Sequence, residues 1–169
     1  MSECATSREI FAPYCVGLGV EAGFGGAATV PHVLTSDQKT PYTNVGGDKQ
    51  IFQNDCRDFS FMCDGVLDFF VHIHLAEDFS YTELAGKIIP EWRRLLKPGG
   101  LLLTNCPDQK KFLAHCAKTG QGTNDAHLEQ DFSLENWNKR VLPATGPWNV
   151  IFEEPNHGPY SFLQVIRKI

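Results

Sequence analysis

The chain has 169 residues, with 15 Lys and Arg against 20 Asp and Glu, a formal net charge of −5, and a composition that is 42% hydrophobic and 21% charged. These values fit one globular domain over residues 1–169, large enough to bury a core, and exclude disorder. No apolar run approaches the roughly 20 residues of a membrane helix. No basic cluster exceeds pairs such as Arg93–Arg94 and Lys110–Lys111. A small-molecule substrate is therefore expected, with neither nucleic acid nor membrane as partner. The stretch MSECATSREIFAPY lacks the apolar core of a signal peptide, so a cytoplasmic location is the expectation. Cys4, Cys15, Cys56, Cys63, Cys106 and Cys116 form no C-x-x-C pair, which predicts reduced thiols and no structural zinc.

In chain order, strands are predicted at Cys15–Val20, His32–Ser36, Gln50–Gln53, Leu67–Ile73, Leu101–Cys106, Trp148–Glu153 and Ser161–Arg167. The early ones are nearly continuous apolar runs, as strands buried on both faces should be. Between the fourth and fifth, Leu84, Ile88, Trp92 and Leu95 recur at helical spacing. Pro90 must kink that helix, and Gly99 is placed to stop it. Trp92 and Trp137 fall on apolar helix faces and belong to the core. Further helices are predicted over Gln109–Lys118, with Asp108 as a possible cap, and from Ser133, a natural N-cap, to Val141. The last two strands flank PNHGP, too short for a crossover helix, so they must be antiparallel. The expected architecture is an α/β, Rossmann-like parallel sheet ending in a C-terminal antiparallel hairpin.

GVEAGFGG, residues 19–26, is the most informative stretch. Gly17, Gly19 and Ala22 satisfy the dinucleotide pattern G-x-G-x-x-A, with Asp37 at the distance of a ribose-binding acid. The residues that follow, interrupted by Gly23, Gly25, Gly26 and Pro31, leave no room for the helix which that motif must open. Shifting the register places Glu21 at the end of the first strand, with Gly23 and Gly25 in the turn. Asp37 then follows the second strand and Asp55 the third. Ligands of open parallel sheets bind outside the carboxyl ends of the strands, where strand order reverses. Three acids there would suit a ligand rich in hydroxyl and N–H donors.

With EAGFGG, Asp37, NDCRDFSF, LDFFVHIHLAEDF and EWRRLLKPGGLLLTNCPD in view, the chain resembles the class I S-adenosylmethionine-dependent methyltransferases from Glu21 to Ile169. The resemblance implies a seven-strand sheet and S-adenosylmethionine as cofactor. It implies that Gly23 and Gly25 lie under the methionine portion. Asp37 would accept from the ribose, and Asp55 would face the adenine amine with the Cys56 backbone nearby. Glu21 takes the place of the family's more usual Asp, and His72 to His74 would lie beside the sulfonium and the acceptor. The segment before the first strand is short for the family, so a homodimer in which one chain covers the other's cleft is a further expectation.

His72 and His74 are two apart on a strand and so share a face. With Glu77 and Asp78 they could begin a metal site, but no second cluster supplies the remaining ligands, and no metal is expected. For methyl transfer, His74 is a candidate base, and His127 a weaker candidate on the substrate side. The expected function is methyl transfer to an O, N or C atom of a small molecule. A non-catalytic, partner-binding subunit on the same fold is the alternative; a nicotinamide oxidoreductase or a metallohydrolase stands further back.

Overall fold

The computed structural model describes residues 3–39 and 44–169. Seven strands form one sheet in the order β3-β2-β1-β4-β5-β7-β6. They are β1 Gly19–Ala22, β2 Leu34–Asp37, β3 Phe52–Gln53, β4 Leu67–Ile73, β5 Leu96–Pro107, β6 Trp148–His157 and β7 Ser161–Lys168. Strands β3, β2, β1, β4 and β5 pair in parallel, and β7 runs antiparallel to both β5 and β6. The chain thus builds outward from β1 in one direction and returns to build from β4 in the other. That reversal marks, at the carboxyl ends of β1 and β4, the crevice position at which open parallel sheets bind their ligands.

Strand alternation divides the core into two layers. On one face Phe70 stacks on Trp92, ring centroids 4.7 Å apart, among Phe59, Trp137, Phe132 and Phe162. On the other face Phe69, Val71, Leu103, Leu163 and Val165 pack against Phe11. Phe11 ends α1 (Glu3–Phe11). Burying each of the large side chains contributes about 1.5–3 kcal/mol.

Predicted β4 and its observed bounds coincide, and the hairpin and Trp92 and Trp137 burial are as expected. Strand β1 starts at Gly19 rather than Cys15, because Ala12–Tyr14 winds a 3₁₀ turn and Gly17 takes φ +92°. Gly17 therefore precedes the strand, on the side away from the crevice, and the dinucleotide register has no structural basis. The helix before β5 ends at Leu95, well before Gly99, because Pro98 disfavours helical backbone at Lys97. Gly99, at φ +82°, instead bends the start of a longer β5.

That helix runs through α2 (Tyr81–Glu83), a π-helical turn Leu84–Ile88 and α3 (Ile89–Leu95). Pro90 supplies the cause: its ring crowds the Gly86 carbonyl, and widening the turn relieves the clash. Helix α4 (Gln109–Thr119) is capped by Asp108, whose Oδ1 accepts from Lys111 N at 3.1 Å. Helix α5 (Leu134–Asn136) starts at Ser133 as predicted and passes into a second π turn, Trp137–Val141. Helix α1 was not expected from its sequence, since Cys, Thr and Ser are indifferent helix formers.

The β1–β2 connection, residues 23–33, contains no helix. Parallel strands usually need a helical crossover; here hydrogen bonds to a neighbouring loop take its place.

Candidate functional site at the carboxyl edge of the sheet

The glycine turn follows β1 with Gly23, Gly25 and Gly26 at φ +63°, +60° and +85°, conformations that glycine alone adopts freely. Gly25 N donates to Asp37 Oδ2 at 3.2 Å, and Gln38 N to Asp37 Oδ1 at 2.8 Å. The structure thus brings the turn and the β2 acid together. The bare backbone at Gly26 also serves the chain itself. Gly26 O accepts from Asp48 N at 2.9 Å, Gly25 O accepts from Val45 N at 2.9 Å, and Asp48 Oδ2 accepts from Ala28 N at 2.9 Å. A methyl group on Gly26 would collide with Asn44, and one on Gly46 with the Gly26 carbonyl.

Glu21 lies within β1 rather than at its end and is fully buried. Its Oε2 accepts from Thr29 N at 2.6 Å, while Oε1 has no hydrogen-bond partner among the described residues. Burial pushes this carboxyl up to about 7 despite the Thr29 amide and Arg8. Arg8 Nε, also buried without a hydrogen-bond partner, stands 4.0 Å from Glu21 Oε1. Arg8 gave no signal in the sequence, because α1 itself was not foreseen.

Asp55 sits beyond β3 and is clamped by Arg57. Oδ1 accepts from Arg57 N and Nε at 2.9 and 2.8 Å, and Oδ2 from Nη2 at 2.5 Å. These bonds hold the Asp55 carboxyl below its ordinary range. Arg57 also reaches Glu83 at 3.1 Å and lies over Phe79. The Cys56 carbonyl accepts from Trp92 Nε1 at 2.7 Å, so this part of its backbone serves the core.

Beyond β4 the histidines separate. His72 does not reach the crevice. It is fully buried between Trp92 and Trp137, with Nε2 3.0 Å from Thr104 Oγ1, because it occupies the same face as Phe70. Burial drives it down to about 3. His74 leaves the strand at φ +53°, the one described non-glycine residue with positive φ. The change of backbone direction takes it off the face it would otherwise share with His72.

The His74 side chain, 24% exposed, has Nδ1 3.7 Å from Glu77 Oε1 and Nε2 3.3 Å from Ser161 Oγ. Glu77 belongs to the 3₁₀ turn Ala76–Asp78 and is 2% exposed. His127 is buried, with Nε2 4.0 Å from Glu77 Oε1 and Nδ1 2.8 Å from Gln109 Oε1. On the far side, Asn105 Nδ2 donates to Ser7 Oγ, which also lies 3.4 Å from His157 Nε2. A polar band therefore crosses the tops of β4, β5 and β7 from α1 to the 127 loop. Burial pushes Glu77 up to about 8, reinforced by Asp78, and holds His74 down to about 4, so both tend to neutrality at pH 7. Polar Thr104 and Asn105 inside the apolar run LLLTNCP were the sequence's trace of this band. Among the described residues no His, Cys, Asp and Glu group could hold a metal ion, and no helix is long and apolar enough to cross a membrane.

The strand order, the reversed β7 and the glycine turn at the switch point define the class I S-adenosylmethionine-dependent methyltransferase fold. Solved structures of that fold superpose over almost the whole chain. An S-adenosylmethionine-dependent methyltransferase from Archaeoglobus fulgidus matches with TM-score 0.74 and 11% identity, over 99% of this chain and 95% of the other. A Pyrococcus horikoshii protein matches with TM-score 0.70 and 19% identity, over 100% and 92%. The 1,6-didemethyltoxoflavin-N1-methyltransferase of Burkholderia thailandensis, solved with S-adenosylhomocysteine, matches with TM-score 0.68 and 13% identity, over 99% and 79%. No protein-family model and no curated protein matches the sequence. At these identities the likeness establishes the fold.

Proposed function

We propose that the crevice at the carboxyl edge binds S-adenosylmethionine and that the protein methylates an O, N or C atom of a small molecule. The observation that carries this reading is the meeting of the glycine turn with Asp37 at the point where strand order reverses. The residues also fit the cofactor's amino-acid end. Arg8 Nε and Glu21 Oε1, both buried and unsatisfied, offer a donor for a carboxylate and an acceptor for an ammonium. When bound, the cofactor supplies a methyl group on sulfonium: the acceptor's lone pair forms the new bond, and the carbon–sulfur pair leaves with sulfur. In this reading Asp37 accepts from the ribose hydroxyls, and Asp55, held by Arg57, accepts from the adenine amine. His74 presents a mostly neutral imidazole beside the reacting region, and His127, bonded to Gln109, stands 4.0 Å from Glu77 behind it.

Calorimetric titration tests the pocket. S-adenosylmethionine and S-adenosylhomocysteine are expected to bind at micromolar concentration, and NADH not at all. Asp37→Ala and Asp55→Ala should each weaken binding about 10- to 100-fold, the range for a hydrogen bond to a charged group. Unchanged affinity in both variants would remove the site from this crevice.

A second reading is a non-catalytic binding subunit. The helix-free β1–β2 connection favours it, because no helix N-terminus then faces the crevice. Binding of both nucleosides without turnover on any acceptor would select it. A homodimer closing the cleft belongs with the enzyme reading and is read by sedimentation.

A further inference from the structure

One residue decides where the Asp55 carboxylate points. Oδ1 accepts from Arg57 N and Nε, Oδ2 accepts from Arg57 Nη2, and no other group among the described residues donates to it. The guanidinium is itself held from the other side: Nη1 donates to Glu83 Oε1 at 3.1 Å, and the group lies 5.7 Å over the Phe79 ring. Glu83 and Phe79 both belong to the segment after β4, so Arg57 reaches from the exit of β3 to α2. Asp55 stands at the same edge of the sheet as Asp37. Gln53 pairs with Asp37 across the strands, and Asn54 N donates to the Asp37 carbonyl at 3.1 Å. With its side chain 41% exposed, Asp55 is open to a ligand.

Other residues fasten this loop. Ser36 Oγ donates to Asn54 Oδ1 at 2.8 Å, and Asn54 Nδ2 donates to the carbonyls of Asp55 and Asp58 at 3.0 and 2.9 Å. The Cys56 carbonyl is bonded to Trp92, and Phe59 N donates to Glu91 Oε1 at 3.0 Å. What is left to Arg57 is the orientation of the acid. An ionised carboxylate only accepts, at about four lone-pair sites. Arg57 fills two on Oδ1 and one on Oδ2, which leaves a single open position on Oδ2.

Building on the methyltransferase reading, we infer that Arg57 is a positioning residue that gives the crevice its purine selectivity: it fixes Asp55 so that the open lone pair accepts an N–H of a 6-amino purine and opposes the oxygen of a 6-oxo purine. Glu83 and Phe79 support this role by keeping the guanidinium on Asp55, where it cannot turn to donate to a purine oxygen instead.

The test compares calorimetric binding of S-adenosylhomocysteine with that of S-inosylhomocysteine, which carries oxygen in place of the 6-amine. The wild-type chain should prefer the adenine compound on the order of 100-fold, since a site built for a donor rejects an analogue without it. Arg57→Ala should weaken S-adenosylhomocysteine about 10-fold and leave S-inosylhomocysteine nearly unchanged, so the preference falls to about 10-fold. Arg57→Lys should behave like Arg57→Ala, because an ammonium cannot engage both carboxylate oxygens as the fork does. Glu83→Ala, which leaves the Asp55 bonds in place, should lower the preference by a smaller factor of about 3.

A residue that merely fastened the loop would weaken both compounds equally in Arg57→Ala, and one acting only by charge would be replaced by Lys. Either result overturns the assignment and leaves the cofactor site standing. Equal wild-type affinity for the two compounds overturns it together with the amine contact at Asp55. Failure of S-adenosylhomocysteine itself to bind overturns the methyltransferase reading as well. If Arg57→Ala does not fold, Arg57→Lys and Glu83→Ala decide, and an unchanged preference in both overturns the assignment.

Discussion

The two halves of the sheet are held together by different means. On the β4–β5–β7 side, helices cover the strands and the contacts are aromatic and aliphatic, with Trp92, Trp137, Phe70 and Phe162 fully buried. On the β1–β2–β3 side, β1 and β2 are joined without a helix, and side chains bonded to backbone do much of the fastening. Thr35 Oγ1 donates to Lys49 O at 2.6 Å, and Gln50 Nε2 lies 2.7 to 3.1 Å from three carbonyls, those of Asp37, Gln38 and Phe52. Packing resists local opening because many contacts must fail together. A few hydrogen bonds with solvent nearby do not, since each contributes only about 0.5–1.5 kcal/mol net. The cofactor side of the proposed site thus rests on the looser half and the reacting side on the tighter one.

The largest expected effect breaks the tight half. Trp92→Ala removes the ring stacked on Phe70 and the bond to Cys56 O, and should cost about 3–5 kcal/mol in denaturant unfolding. Gly26→Ala attacks the loose half where a Cβ has no room against Asn44, and should cost about 1–3 kcal/mol. Its signature is hydrogen exchange: amides of residues 23–39 should lose protection while β5 and β7 keep theirs.

Acid–base linkage gives the third effect. Glu77 and Glu21 have folded pKa values near 8 and 7, above their unfolded values, so the native state binds the extra protons. Their contribution is fully present below the unfolded carboxyl pKa and is lost as pH rises through the folded values. The buried histidines act oppositely, being held low, but they are neutral in both states above their unfolded pKa. Stability should therefore decline between pH 6.5 and 8, by on the order of 1–2 kcal/mol. Urea titrations at stepped pH measure it, and Glu77→Gln should flatten most of the slope. The smallest effect sharpens the contrast: Gln50→Ala should cost about 1 kcal/mol or less globally yet loosen β3 selectively by hydrogen exchange.

The parallel sheet, the hairpin and the positions of Asp37 and Asp55 were legible because they rest on local patterns: apolar runs, a Pro/Gly turn and acids following strands. The partners of those acids were not. Arg57 holds Asp55 from two residues away, and Arg8 meets Glu21 from an unforeseen helix. The two histidines of HIH were expected to share a face, and one backbone angle at His74 separates them. Sequence periodicity assigns faces only while the strand continues, and the site begins where it stops. Glu77 was visible as a nearby acid, but its burial depends on the 127 loop arriving from elsewhere, with Leu128 N donating to the Glu77 carbonyl at 3.2 Å.

His74 has a left-handed backbone that L-residues with bulky side chains adopt at a cost of roughly 1–2 kcal/mol. Glycine there would relieve the strain while deleting the imidazole, so on the proposed function stability and chemistry pull this position in opposite directions. In a lineage released from selection on activity, drift should reach residue 74 early and settle on Gly or Asn, while Trp92 stays fixed. A population of such sequences would record, at a single column, when the proposed activity was lost.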